Sequence, residues 1–281
     1  MMSRVPMLAD QARVFMDPQF AARCQMLMMG NGADLIASLH GVTREEADAV
    51  ALASQQRAAR AREQGWFSSI VPIVREDGTQ ISEDECIRAG MTAAQLAQLA
   101  PAFARSGAAG VDAFQLVGYP RLDRIDHIHT AGNSPAMADA AALVLIADEA
   151  FGSRSGARPR ARIAAFATVS ADPLQVLSGC IEATRKLLAD QGLGAADIDL
   201  FEVHEAFAAI SVVCMRELDI PEDKLNVNGG VIALGHPMGA TGAIMAGTLL
   251  DEMERRDLQW GLVAAAGAAG TGSALLLERC T

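Results

Sequence analysis

The sequence predicts an α/β fold, on three observations. From Asp126 onward, short apolar runs alternate with longer helical patterns, the arrangement of strand–helix units. Gly-rich strings interrupt that alternation at strand-to-helix junctions, where open α/β sheets place their ligands. With 281 residues, 51% of them hydrophobic and 20% charged, the chain is globular in composition and just short of two ordinary domains in length.

The first ~120 residues read differently from the rest, by the same pattern criteria. Residues 1–29 hold seven Met and no strand alternation. Thr43 followed by Glu46 is a capping box, so a helix starts there; Ala47, Val50, Ala51 and Ser54 form its small-residue face and Gly65 stops it. Ile70 to Val74 is extended, Glu76 to Thr79 is a turn, and Thr92 to Leu99 is a short helix closed by Pro101. Ser106 to Gly110 is small and flexible. Ile125 to Thr130 reads as a strand that puts His127 and His129 on one face. A polar edge or a core hydrogen bond accounts for that pair more simply than a ligand site does. Ala136 to Ile146 reads as a small-residue helix running into a strand, apolar enough to be buried on both faces. Gly152 to Pro159 is a basic linker. Strands follow at Ala161–Val169 and Asp199–Val203, with helices at Ile181–Gln191 and Ala206–Leu218. Pro221 to Lys224 turns, Leu225 to Val227 extends, and Ala240–Arg256 is a long helix. Leu262–Ala266 and Ala274–Glu278 flank a last Gly-rich turn.

Composition excludes several classes. The net charge of −11 argues against nucleic acid, whose phosphates require clustered Lys and Arg. With 2 Trp, 1 Tyr and 9 Phe, the chain has no stacking platform for bases. No segment supplies the ~20 apolar residues of a membrane span. Arg4, Pro6 and Asp10 precede any apolar core, so no signal peptide is expected. The five cysteines are scattered without a C-x-x-C pair, which predicts neither a disulfide framework nor a thiolate zinc site and fits a reducing cytoplasm. The five histidines predict no metal cluster.

Three strings carry candidate chemistry. Asn226 to Gly242 packs five glycines, His236 and Pro237 into one strand-to-helix junction. His236 there is placed for a general acid or an oxyanion donor. Val203-His204-Glu205-Ala206-Phe207-Ala208 ends a strand and enters a helix; His204-Glu205 alone is equally ordinary helix-start chemistry, and the string is not H-E-x-x-H. Ala264 to Gly272 offers backbone N–H groups to an anion but holds no nucleophile or base.

Together, HEAFA, NVNGGVIALGHPMGATGA and GLVAAAGAAGTGSALLLER resemble the thiolase family of acyl-CoA acyltransferases. MSRVPM, GVTREEADAVALASQQRAA and HTAGNSPAMADAAALVL extend the resemblance over essentially the whole chain. It implies a five-layered αβαβα arrangement of two similar halves, each a five-stranded sheet, with the first half largely absent. Residues 1–128 match a loop domain, 129–155 the closing helix and strand of the first half, and 156–281 the second half.

The implied activity is of the acetyl-CoA/3-ketoacyl-CoA C-acyltransferase type: a cysteine thiolate takes an acyl group from acyl-CoA, and a second cysteine shuttles a proton during Claisen C–C cleavage or formation, with the coenzyme A thioester as substrate and no other cofactor. His236 matches the histidine that activates the nucleophile and shares an oxyanion hole; His204 matches a position, often Asn, that orients a water there. Phe207 would line the pantetheine channel and Ser134 would contact the same arm, although Pro135 and Ala136 replace the usual Ser-Gly. Arg57, Arg60 and Arg62 are candidates for the nucleotide phosphates. The family's nucleophilic cysteine would lie before Met1, and its Cys-x-Gly general base reads Ala266-Gly267-Ala268 here. A homo-oligomer, or a partner supplying the missing half, is therefore expected. A non-catalytic CoA-binding or partner subunit and a thiolase-like retro-aldolase subunit are the alternatives.

Overall fold

A computed structural model describes residues 27–280. The N-terminal string MSRVPM and Cys24 lie outside the described residues.

Two helices open the structure, α1 (Met29–His40) and α2 (Arg44–Glu63). Thr43 and Glu46 form the expected capping box at the start of α2. The sequence pattern did not predict α1, because Gly30 and Gly32 disfavour a helix. Packing explains them: a Cβ on Gly30 would overlap the Phe103 ring, and one on Gly32 would press on Val176. A two-strand hairpin, β1 (Ile73–Val74) with β2 (Gln80–Ile81), closes around the predicted turn. Helix α3 (Ala93–Ala97) follows, capped by Thr92 and Gln95. Residues Ala104–Val111 form helical turns leading into α4 (Asp112–Gly118), longer regular structure than the small residues suggested.

The remaining elements are α5 (Glu149–Ser155), β3 (Ala161–Ser170), α6 (Gly179–Gln191), β4 (Leu200–Val203), α7 (Ala208–Leu218), the single turn α8 (Val231–Leu234), α9 (Thr241–Arg256), β5 (Trp260–Ala266) and β6 (Thr271–Arg279). Every strand and long helix expected between Ala161 and Glu278 is present. The sheet runs β3-β6-β5-β4, with β3/β6 and β6/β5 antiparallel and β5/β4 parallel. Helix α6 covers one face and α9 the other; α7 lies behind α6 and packs on α1 and α2. One core joins Ala33, Ile36 and Ala51 of the first helices to Leu187, Phe201, Ile210 and Leu262. Residues on both sides of the expected domain boundaries thus share a core.

Four local expectations are corrected. Ile125–Thr130 is not a strand but an irregular strap, buried at Ile125, Ile128 and His129. The predicted helix and strand over Ala136–Ile146 are absent: the segment is irregular, Leu143 is 90% exposed and Ile146 71% exposed. Only Met137 bridges to another segment, at His236. No described strand lies beside Ala142–Ile146, and an apolar run without a neighbour has no ladder to join. The expected linker Gly152–Pro159 is helical as far as Ser155, where Gly156 ends α5 in a left-handed conformation. Finally, among the described residues the second-half sheet has four strands where five were expected; beside β4 there is only an isolated parallel bridge, Phe201 to Leu225.

Candidate functional site

The site forms at the carboxyl ends of the parallel pair β4 and β5, the position that α/β topology favours for ligands. His204 follows β4 directly, and its N–H donates to Ala264 O at 2.8 Å, which fixes it beside the end of β5. His236 arrives on the Gly-rich strap. Its N–H donates to Ala136 O at 2.8 Å, and its carbonyl accepts from Ala138 N at 3.4 Å.

These contacts bring two imidazoles together. His204 Nε2 lies 3.3 Å from His236 Nδ1, with ring centroids 4.5 Å apart. Thr241 Oγ1, at the start of α9, lies 2.8 Å from the same Nδ1. Burial, then the neighbouring His236, pulls the His204 pKa down to about 4; the Ala266 backbone alongside opposes the shift. Burial lowers His236 as well. Both rings are therefore neutral near pH 7, each with one N–H and one lone pair. If His236 Nδ1 accepts from Thr241 and His204, its Nε2–H points outward as a donor to an oxyanion. If Nδ1 is the protonated nitrogen, Nε2 presents a lone pair as a base. The pair can serve either role by exchanging tautomers. His204 Nδ1 is buried without a hydrogen-bond partner among the described residues.

Sequence reasoning placed His204 and His236 at the site, and the structure unites them. It does not unite them with Phe207 and Ser134. Phe207 is buried edge-on against Phe103 (5.7 Å) and His129 (5.2 Å), so its ring is core here and not an open channel wall. Ser134 lies beside the α7 N-terminus, where Asn133 O accepts from Ala208 N at 3.1 Å; its own Oγ is buried and unpartnered among the described residues. Ala266 ends β5 in an open cleft of about 560 Å³ lined also by Thr168, Ser170, Gly267, Thr271 and Ser273. The arginines suggested for phosphates have other partners: Arg57 donates to Leu225 O and Glu222, Arg60 lies over Trp66, and Arg62 pairs with Glu83 at 3.5 Å.

His127 and His129 resolve as a core network, the simpler of the readings. Asp34, fully buried on α1, takes His129 Nδ1 at 2.6 Å and His127 Nδ1 at 2.8 Å. His127 Nε2 reaches Asp112 at 3.0 Å, and both its nitrogens meet carboxylates only as an imidazolium. Burial disfavours that charge, but Asp34 and Asp112 outweigh it and raise the His127 pKa. Asp34 gave no signal in the sequence, since its partners are some 90 positions away.

Glu205 was also missed as a site-building residue. It is 2% exposed, and burial raises its pKa against hydrogen bonds from Asn226, Ser54 and Ile232. Among the cysteines, Cys180 and Cys214 are buried together at 4.0 Å, and Cys86 packs against Gly235; none hydrogen-bonds to either imidazole of the pair. Among the described residues no cluster of three or more His, Cys, Asp or Glu is arranged to hold a metal, and no helix is long and apolar enough to cross a membrane.

Comparison with known proteins fits this geometry. A family model described as the thiolase N-terminal domain matches residues 1–114, and one described as the thiolase C-terminal domain matches residues 157–279. The chain is 39% identical over 260 residues to a 3-ketoacyl-CoA thiolase of Serratia proteamaculans, covering 90% of this chain and 62% of that protein. Against the 3-ketoacyl-CoA thiolase FadA of Escherichia coli the identity is 38%, with the same coverage of 90% and 62%. The acetyl-CoA acetyltransferase of Bacillus anthracis superposes with a TM-score of 0.76 at 35% identity, over 90% of this chain and 60% of that one. Human mitochondrial 3-ketoacyl-CoA thiolase in complex with CoA gives 0.77 at 31% identity, over 90% and 59%. The chain spans 62% of the length of the curated relatives it matches.

Proposed function

The chain belongs to the thiolase family, and on that premise we propose that it binds coenzyme A thioesters at the His204–His236 pair and serves acyl transfer of the 3-ketoacyl-CoA thiolase kind. The observation that carries the reading is the pair itself: two neutral imidazoles 3.3 Å apart at the carboxyl end of a parallel strand pair. A neutral imidazole donates a hydrogen bond to a thioester oxygen as negative charge builds there, and it does so without first giving up a proton. His236 makes that bond through Nε2, and His204 holds His236 in the matching tautomer through its own Nε2–H. Thr241 fixes the ring plane.

The rest of the reading follows the resemblance. The thioester is substrate, with no resident cofactor. The family's acyl-accepting cysteine has no counterpart at the pair among Cys86, Cys180, Cys214 and Cys280. It comes from a further segment or a partner chain, in a cytoplasmic homo-oligomer or paired assembly. Residues 1–128 act as the loop domain, 129–155 close a first half, and 156–281 form the second half. Phe207 and Ser134 are assigned to the pantetheine arm by the resemblance, and for Phe207 this requires the Phe103 and His129 rings to move off it.

A second reading has its own observation. By resemblance Ala266 occupies the place of the cysteine general base, and a methyl group moves no proton. A CoA-ester-binding subunit without turnover fits that residue.

Calorimetric titration of CoA and acetyl-CoA into the protein tests the binding, and a thiolysis assay with acetoacetyl-CoA, run in an assembly that supplies the nucleophilic cysteine, separates the two readings. Binding with turnover supports acyl transfer, and binding without it supports the second reading. The absence of heat at millimolar CoA contradicts both.

A further inference from the structure

The strap over residues 225–236 delivers His236 to His204, yet it has little regular structure of its own. Asn226 and Gly229 adopt left-handed conformations, and α8 is one turn long. Such a segment keeps its course only if its surroundings hold it.

One face of α2 does the holding. Arg57 donates to Leu225 O at 2.9 Å where the strap begins. Ser54 Oγ accepts from Gly230 N–H at 3.0 Å and donates to Glu205 Oε2 at 2.8 Å. Gln55 Nε2 donates to Ile232 O at 3.3 Å. Glu205 grips the strap from the other side: Oε2 accepts from Ile232 N–H at 3.2 Å and Oε1 from Asn226 Nδ2 at 3.1 Å. There is no slack in this fit. A Cβ on Gly230 would overlap the Glu205 carboxyl, and one on Gly229 would lie 2.5 Å from Ser54 O.

Glu205 is also the residue after His204. A single side chain thus ties both histidines, one through the peptide bond and the other through the strap. Both its oxygens are taken by protein donors, so it is not placed to act on a substrate.

We propose that Glu205 and Ser54 are positioning residues, which set the spacing of the His204–His236 pair by clamping the strap of His236 between α2 and the end of β4. The proposal rests on the reading of that pair as the thioester site, while its geometry is testable without any thioester.

The test compares Ser54→Ala and Glu205→Gln with the parent chain by imidazole ¹H–¹⁵N NMR over pH and by amide exchange across residues 226–236. Ser54→Ala removes one hydroxyl and deprives Glu205 and Gly230 of a partner. Exchange at Gly230 and Ile232 is expected to speed about ten- to hundredfold, the effect of one buried hydrogen bond. The His236 titration is expected to move up toward the ordinary histidine value as the ring leaves its buried position. Glu205→Gln places an NH₂ among donors and is expected to give the larger effect. Leu187→Ala, a core truncation on α6, controls for general destabilisation and is expected to leave the His236 titration in place. If Ser54→Ala leaves both exchange and titration as in the parent, or if Leu187→Ala moves the titration equally, the proposal is overturned. Loss of fold in Glu205→Gln leaves Ser54→Ala to decide. Shifts of this kind without CoA binding would overturn the thioester reading alone.

Discussion

The behaviour of His204 follows from where β4 ends. Its ring is buried, its partner is another neutral imidazole, and its pKa is drawn down to about 4. In the unfolded chain the same histidine has its ordinary value near 6.5. The unfolded state therefore binds an extra proton between those values. The stability tied to neutral His204 is fully present above about pH 6.5 and is lost as pH falls toward 4, by roughly 3 kcal/mol in all. Denaturant titrations of the parent and His204→Asn at pH 7.5 and pH 5 should show that loss in the parent and a smaller one in the variant. Ala266 sets the second expectation at this scale. General acid–base work is worth ~10²–10⁴ in rate. On the reading of a CoA-ester-binding subunit without turnover, thiolysis by the unaltered chain should be near background in an assembly that supplies a nucleophilic cysteine. Ala266→Cys, with Ala268→Gly to reopen the turn, should raise it by a factor of that order. An ordinary rate from the unaltered chain would show that position 266 is not the base.

At the scale of elements, β4 carries an acid into its own interface with α9. Glu202 is 4% exposed, and burial, then Glu205 and Glu252, raises its carboxyl well above the ordinary range. Nearby, Glu252 takes Asn228 Nδ2 at 3.0 Å, and Asn228 Oδ1 has no partner among the described residues. A raised folded-state pKa means that the stability is present below the unfolded value and is lost as pH climbs through the folded one. Glu202→Gln keeps the shape and removes that penalty, so it should stabilise the fold by about 1–3 kcal/mol at pH 8 and by little at pH 4, read from denaturant midpoints. The elements also show what the sequence could tell. The Thr43–Glu46 cap, the strand periodicity of Ala161–Val169 and the Gly-rich strings are local signals, and each marks its element correctly. His204 and His236 were legible for the same reason, because each sits in a distinctive string. Glu205 and Ser54 were not: their meaning lies in hydrogen bonds across 151 positions, which no local pattern encodes. The opposite failure occurred at Ala142–Ile146, where a strong strand signal found no neighbouring strand to pair with.

At the scale of the whole molecule, that run is left uncovered among the described residues. Leu143, Val144, Leu145 and Ile146 are 49–90% exposed, and Phe166 on β3, an edge strand among the described residues, is 75% exposed. Exposed apolar segments and open strand edges promote association. Sedimentation of the purified chain should show oligomers or aggregates, and Leu143→Lys with Leu145→Lys should reduce them; a clean monomer in the parent would contradict this. Such association is expected of a chain that shares its surface with a partner, but the central claim concerns the pair, and its most direct test is spectroscopic. The imidazole ¹H–¹⁵N signals of His204 and His236 can be followed while acetyl-CoA is titrated into the protein. The account predicts a saturable shift in both rings, larger at His236 Nε2, with His127 and His129 unmoved. Signals of His204 and His236 that stay in place at millimolar acetyl-CoA would contradict it.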